Sequence, residues 1–97
     1  MNQIFKTKEF WQKNMGEAWA DKLGPLLVSD LTFELMNKVA QHYNSANVFP
    51  DRRNIFRAFR VCPPENLKVV ILGQDPYHDV TATEDGYQPK ATGLAFA

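Results

Sequence analysis

Residues 68–78 have the sequence Lys-Val-Val-Ile-Leu-Gly-Gln-Asp-Pro-Tyr-His, and the expected fold depends on this stretch. The apolar run 69–72 does not alternate with polar residues, which is typical of a strand buried on both faces of a parallel sheet. Gly73 permits a sharp exit from that strand and a close approach of the backbone to a ligand. Because ligands of open α/β sheets bind beyond the carboxyl ends of the strands, residues 73–78 are predicted to form the functional site.

The loop after this strand carries side chains suited to chemistry. Asp75 precedes Pro76, and a residue before proline is held in the extended region, so its carboxylate stands on a stiffened loop. Such a carboxylate suits the role of a base or of an electrostatic stabiliser. Tyr77 adds a flat wall and His78 a titratable ring. Taken alone, the Asp-Pro-Tyr run is also compatible with an ordinary turn.

The sequence before the strand predicts helices. A first amphipathic turn or helix is expected from Phe5 to near Gly16, and a second, over residues 18–23, is expected to end before Gly24-Pro25. The clearest helix follows, with Ser29 or Asp30 as its N-cap and its end at residues 44–45. Its apolar side chains recur at four-residue spacing and are predicted to be core; they are Leu31, Leu35, Val39 and Tyr43, with Met36 and Ala40 widening the stripe.

A further helix is predicted over residues 52–60. Asp51 is its expected N-cap, and Pro63-Pro64 bars its continuation. Its inner side is formed by Ile55, Phe56 and Phe59. Downstream, only residues 94–96 offer a second strand. Helices followed by a buried strand and a loop favour an α/β layer architecture, of which this chain would hold the N-terminal helices and the first strand or strands.

Composition excludes several classes of protein. The 97 residues are 44% apolar with a formal net charge of zero, which allows a modest core and argues against a protein that simply coats nucleic acid. A single cysteine excludes an internal disulfide, and the sequence has neither a signal peptide nor an apolar run that could span a membrane. A cytoplasmic protein is therefore expected. One cysteine and two scattered histidines give no zinc-ligand spacing.

Charge is unevenly distributed around the predicted loop. Residues 52–68 hold five basic residues against one acidic residue, whereas residues 75–85 hold four acidic residues and no lysine or arginine. The basic segment is compatible with phosphate contacts. It is also compatible with an ordinary solvated helix face, which the charge counts alone favour.

Residues 68–78 closely resemble the signature of the main uracil-DNA glycosylase family. Upstream, Val48-Phe49-Pro50 and residues 55–60 resemble the family's aromatic-proline turn and its Phe-x-Ala-Phe helix. Downstream, residues 93–96 resemble the family's Gly-Leu-x-Phe pocket element. The similarity runs from about residue 48 to residue 97, with weaker agreement before it.

The resemblance implies that residues 1–97 are the N-terminal part of a single domain with the family's parallel-sheet α/β/α fold. The family hydrolyses the N-glycosidic bond of uracil in DNA during base excision repair, on a base flipped out of the duplex. Asp75 would position the attacking water and stabilise the cationic sugar. The backbone near Gln74 would contact a uracil carbonyl, Tyr77 would exclude the methyl group of thymine, and Phe96 would stack on uracil. No cofactor or metal is implied, and the complete enzyme is expected to be a monomer.

Two departures from the family pattern follow. Residues 79–92, with the acidic pair Glu84-Asp85, fill a gap where the family has a short Gly/Pro-rich link. The chain also covers less than half of the family's domain, without its uracil-reading asparagine and its His-Pro-Ser-Pro-Leu element. A fragment, a split-gene product and a degenerate remnant all fit, and the 97 residues alone are expected to be inactive or nearly so. The alternative is a non-catalytic binding or structural module that retains the first layer of the fold.

Overall fold

The computed structural model of the chain describes residues 3–45, 48–77, 80–84 and 86–95. This part is mainly helical. The α-helices are α1 (Lys8–Met15), α2 (Glu17–Leu27), α3 (Asp30–Ser45) and α4 (Arg57–Val61). Short 3-10 turns are formed by Gln3–Lys6, Arg52–Asn54 and Pro64–Asn66. Strands β1 (Val80–Thr83) and β2 (Gly86–Pro89) pair antiparallel as a hairpin.

Two tryptophans hold the helices together. Trp11 of α1 is only 2% exposed; its indole N–H donates to the Phe5 carbonyl at 2.8 Å, and its ring meets that of Phe56 edge-on at 5.3 Å. Trp19 of α2 donates to the Cys62 carbonyl at 2.7 Å and contacts the Phe59 ring at 5.4 Å. The core therefore lies where α1 and α2 meet the segment that contains α4. Its buried residues are Phe5, Trp11, Met15, Ala20, Leu27 and Met36.

Helix α2 runs one turn further than the sequence predicts. The Gly24-Pro25 pair was expected to end it, but both residues lie inside the helix. The Val28 N–H donates to the Gly24 carbonyl at 3.2 Å, which continues the helical pattern past the proline. Leu27 is buried in the core, and this burial offsets the hydrogen bond that the proline cannot make.

Helix α3 is confirmed, and its predicted core stripe is correct on one side only. Met36 is buried and Ala40 packs against the core, whereas Leu31 and Leu35 are 72% and 58% exposed. Met36 lies about 100° around the helix from Leu35, so the Met36 side of the stripe is the side turned inward. At the start of the helix, the Lys6 ammonium lies 5.0 Å from the centre of the Phe33 ring and pairs with the Asp30 carboxylate.

The helix predicted over residues 52–60 is divided in two. Asp51 does cap its start, since its carboxylate accepts from the Arg53 N–H at 3.2 Å. A two-residue turn at Ile55-Phe56 then separates the 3-10 turn from α4. The break allows Phe56 to contact Trp11 while Phe59 contacts the other tryptophan.

The predicted strand at residues 69–72 is absent from the described structure. Val69, Val70, Ile71 and Leu72 are 74%, 74%, 62% and 94% exposed, and residues 67–73 have no regular secondary structure. A buried strand needs partner strands on both sides, and the hairpin is the only sheet among the described residues. The second strand predicted at 94–96 is a turn at Leu94 and Ala95, while Phe96 lies outside the described residues. The α/β class predicted from the sequence is therefore not formed in this part of the chain.

Candidate active site

A cavity of about 360 Å³ lies between the loop at residues 73–77 and the segment 93–95. Pro50 and Ile55 complete its lining. The sequence-predicted residues Gln74, Asp75 and Tyr77 all contribute to it. The described structure thus brings together two sequence motifs that are separated by the insertion at residues 79–92.

The loop presents its polar groups to solvent. Asp75 is exposed, and the Tyr77 side chain is 49% exposed. A Cβ atom built at Gly73 would meet nothing within 4 Å. Packing against the described residues therefore does not require glycine at this position. His78 lies outside the described residues.

The opposite wall is fixed to the segment around α4. Gly93 has φ +87°, and a Cβ there would approach the Asn54 carbonyl oxygen to 2.2 Å, so only glycine fits. Arg57 donates from Nη1 to the Thr92 carbonyl at 2.9 Å. The Thr92 hydroxyl accepts from the Leu94 N–H at 3.3 Å, which closes the turn into the cavity wall.

The Pro50 side of the cavity is supported from behind by α3. The Tyr43 hydroxyl donates to the Pro50 carbonyl at 2.5 Å. Burial raises the pKa of Tyr43, and the nearby Asp51 carboxylate raises it further against the opposing effect of Arg52. The phenol is therefore kept protonated, which is the form that can donate this hydrogen bond.

The arginines of the basic segment 52–68 already have protein partners. Arg60 donates to the Asn14 carbonyl at 3.0 Å and to the Arg53 carbonyl at 2.7 Å. Arg53 pairs with the Asp51 carboxylate at 3.3 Å. Arg52 lies over the Tyr43 ring, and Arg57 binds the Thr92 carbonyl. The segment is not a purely solvated face, because Arg57 and Arg60 link distant parts of the backbone; phosphate contact stays a prediction.

The supporting residues Tyr43 and Arg57 were not identified as site residues from the sequence. Tyr43 was assigned to a core stripe, and Arg57 to a basic segment. The Arg57 contact is made across 35 residues, and no local pattern identifies a partner so far along the chain. The one sequence signal near the Tyr43 contact was the predicted aromatic-proline turn, because it contains Pro50, whose carbonyl accepts the hydrogen bond.

The insertion at residues 79–92 contains the β1–β2 hairpin. Its register pairs Val80 with Pro89 and Thr83 with Gly86, and Glu84 lies in the turn that follows the first strand.

Within the described ranges, His, Cys, Asp and Glu form no group of three or more that could hold a metal ion. Among the described helices, none combines the length and apolar character needed to cross a bilayer.

Three curated proteins named uracil-DNA glycosylase are similar to this chain. The protein from Lactobacillus helveticus is 45% identical over 65 residues, which is 67% of this chain and 28% of that protein. The Lactobacillus acidophilus protein is 43% identical over 65 residues, with the same coverage of both chains. The Phocaeicola vulgatus protein is 44% identical over 62 residues, or 64% of this chain and 28% of that protein. No family model matches the chain, and no solved structure matches it.

The match is longer than the resemblance read from the motifs. A match of 65 residues exceeds the 50 residues from Val48 to Ala97, so it includes part of the sequence before Val48. The chain spans 28% of the length of these curated relatives. The matched part of this chain is therefore homologous to the uracil-DNA glycosylases.

Proposed function

We propose that this chain is the N-terminal part of a single uracil-DNA glycosylase domain, whose complete form acts as a monomer on uracil-containing DNA. One observation carries the proposal: the Asp75 loop and the Gly93-Leu94 segment line one cavity, although residues 78–92 separate them in sequence. The named relatives support the same activity. The cavity of about 360 Å³ is near the lower end of ligand-pocket volumes, which suits a single base.

The chemistry assigned to Asp75 is capture of a cationic sugar by water. Uracil, flipped out of the duplex, leaves as its N1–C1′ bond breaks, and the deoxyribose becomes oxocarbenium-like. The departing uracil keeps the electron pair of the broken bond. The Asp75 carboxylate offsets the positive charge of the sugar and orients a water molecule, whose oxygen bonds to C1′ as one of its protons passes to the carboxylate. Exposure of Asp75 to solvent supports this role, because the reacting water needs access to the carboxylate.

Selection of uracil is assigned to the walls of the cavity. The backbone near Gln74 contacts a uracil carbonyl, and Tyr77 faces C5, where thymine carries a methyl group. Phe96 stacks on the base. Both Gln74 and Tyr77 line the cavity, which supports their parts in this proposal.

The complete enzyme requires the parallel α/β/α sheet that the described residues lack. We assign residues 69–72 to a central strand of that sheet, covered by the remainder of the domain. Burial of these four exposed side chains is worth roughly 5–9 kcal/mol as an upper value. This is comparable to the total stability of many domains, about 5–15 kcal/mol, so completing the sheet matters for folding as well as for activity.

The test is uracil release by residues 1–97 joined to the remaining sequence of the Lactobacillus helveticus relative. Labelled uracil-containing DNA is scored for abasic sites. We expect turnover, and we expect Asp75→Asn to reduce it by roughly 10²–10³-fold or more, because a neutral amide does not offset the cationic sugar. Asp21→Asn is the matched control, since Asp21 is an exposed carboxylate on α2 and distant in sequence from both cavity motifs. Full-rate release by the Asp75→Asn protein would show that the carboxylate has another role. If the joined protein folds but the non-catalytic alternative is correct, no variant will release uracil.

A further inference from the structure

Arg57 joins α4 to the far side of the insertion. Its guanidinium Nη1 donates to the Thr92 carbonyl at 2.9 Å, in a partly buried position. A hydrogen bond from a charged donor is stronger and shorter than one between neutral groups. The contact therefore fixes the point at which the chain returns from the hairpin.

A close backbone contact fixes the same junction. Gly93 packs so closely that a Cβ there would lie 2.2 Å from the Asn54 carbonyl oxygen and 2.9 Å from the Arg57 Cβ. Residues 92 and 93 are thus held against α4 and the turn before it, and Ala91, which precedes them, is buried with 7% of its surface exposed.

The cavity wall begins directly after this junction. Leu94 and Ala95 face the Asp75 loop across the cavity. The contacts of Thr92 and Gly93 with the α4 region hold the chain immediately before these wall residues.

We propose that Arg57 is a positioning residue of the candidate active site. It holds the wall at residues 92–95 against α4, so that the wall meets the loop at residues 73–77 despite the fourteen-residue insertion between the two motifs. Any contribution of Arg57 to uracil binding rests on the proposed function, whereas its contribution to the position of the cavity wall does not. The competing role is that of a phosphate ligand in the basic segment.

The test uses 19F NMR of the 97-residue chain labelled with 3-fluorotyrosine. The chain has three tyrosines, and Tyr77 lines the cavity. Its signal is assigned by Tyr77→Phe. We expect Arg57→Met to shift or broaden the Tyr77 signal, and Arg57→Lys to restore it in part because lysine keeps a charged donor.

Arg60→Met is the matched control. Arg60 lies on the same helix and also donates to backbone carbonyls, at Asn14 and Arg53, but neither it nor these partners line the cavity. It should leave the Tyr77 signal unchanged. An equal effect of the Arg57 and Arg60 variants, or no effect of Arg57→Met, overturns the proposal.

Gly93→Ala tests the same junction without changing charge, and it serves if Arg57→Met fails to fold. Collision with the Asn54 carbonyl should move the same Tyr77 signal. An unmoved signal in a folded Gly93→Ala chain contradicts the proposal. A second pair of results also contradicts the proposal. If Arg57→Met leaves the Tyr77 signal unmoved but reduces the salt dependence of binding to uracil-free DNA, Arg57 is a phosphate ligand. None of the NMR measurements needs uracil. The positioning role of Arg57 can therefore be refuted while the proposed activity holds, and the activity can be refuted while the positioning role holds.

Discussion

Leu72 is 94% exposed in this chain, yet its sequence context is that of a buried strand. We expect Leu72→Ser to change the free energy of unfolding of the 97-residue chain by less than about 0.5 kcal/mol, because a side chain already in water loses no burial. In the protein completed with the remainder of a relative, the same change should cost about 2–5 kcal/mol. There the side chain enters the sheet, and its loss leaves a cavity.

The measurement is urea unfolding followed by far-UV circular dichroism in both proteins. Trp11→Ala is the positive control: Trp11 is 2% exposed here, so its loss should cost about 3–5 kcal/mol in both proteins. Light scattering adds a second readout. The exposed run at residues 69–72 should promote association of the 97-residue chain, and Leu72→Ser should weaken that association.

The reasoning is refuted if Leu72→Ser destabilises the 97-residue chain by more than about 1 kcal/mol, because the segment would then already be packed. If Leu72→Ser changes the free energy of unfolding equally little in both proteins, the assignment of residues 69–72 to the proposed sheet is wrong.

Three other predictions concern the site. Tyr43→Phe should cost about 1 kcal/mol through its bond to Pro50, measured by urea unfolding. Because the folded pKa of Tyr43 lies above the ordinary 10.0, stability from this group is complete below pH 10 and is lost as the pH rises through the folded pKa; Tyr43→Phe should remove that part of the alkaline decline. Tyr77→Ala in the completed enzyme should begin to release thymine from ordinary DNA, and retained uracil activity with unchanged thymine resistance would assign the tyrosine to packing alone. Residues 1–97 by themselves should release little or no uracil from single-stranded DNA, and robust turnover by a folded monomer would contradict this.

Local sequence signals predicted where several helices begin and end. Ser29 and Asp51 are capping residues whose side chains accept nearby backbone N–H bonds, and such contacts span only two or three residues. The break at Ile55-Phe56 was not predicted because it depends on two tryptophans more than 35 residues away in sequence. Local patterns do not contain that information.

The burial of Leu31 and Leu35 on α3 and of residues 69–72 was predicted wrongly for a related reason. An apolar stripe or run shows which side chains gain from burial, but burial also needs a surface to cover them. For Leu31, Leu35 and the 69–72 run, the described residues supply no such surface. The motif residues Gln74, Asp75 and Tyr77 were identified from the resemblance, whereas Arg57 needed the three-dimensional contact to Thr92.

The hairpin at residues 80–89 makes the site tolerant of changes in chain length. Its first and last residues, Val80 and Pro89, are cross-strand partners, and such partners have Cα atoms only about 4.5–5.5 Å apart. Residues added in pairs, one on each strand, extend the ladder without separating these two ends, and a two-residue step preserves which side chains share a face. A fluorophore or affinity tag placed after Glu84 would therefore lie beyond the far end of the ladder without separating Val80 from Pro89. The same arrangement allows related genes to gain or lose loop residues at this position while the Asp75 and Gly93 motifs keep their spacing.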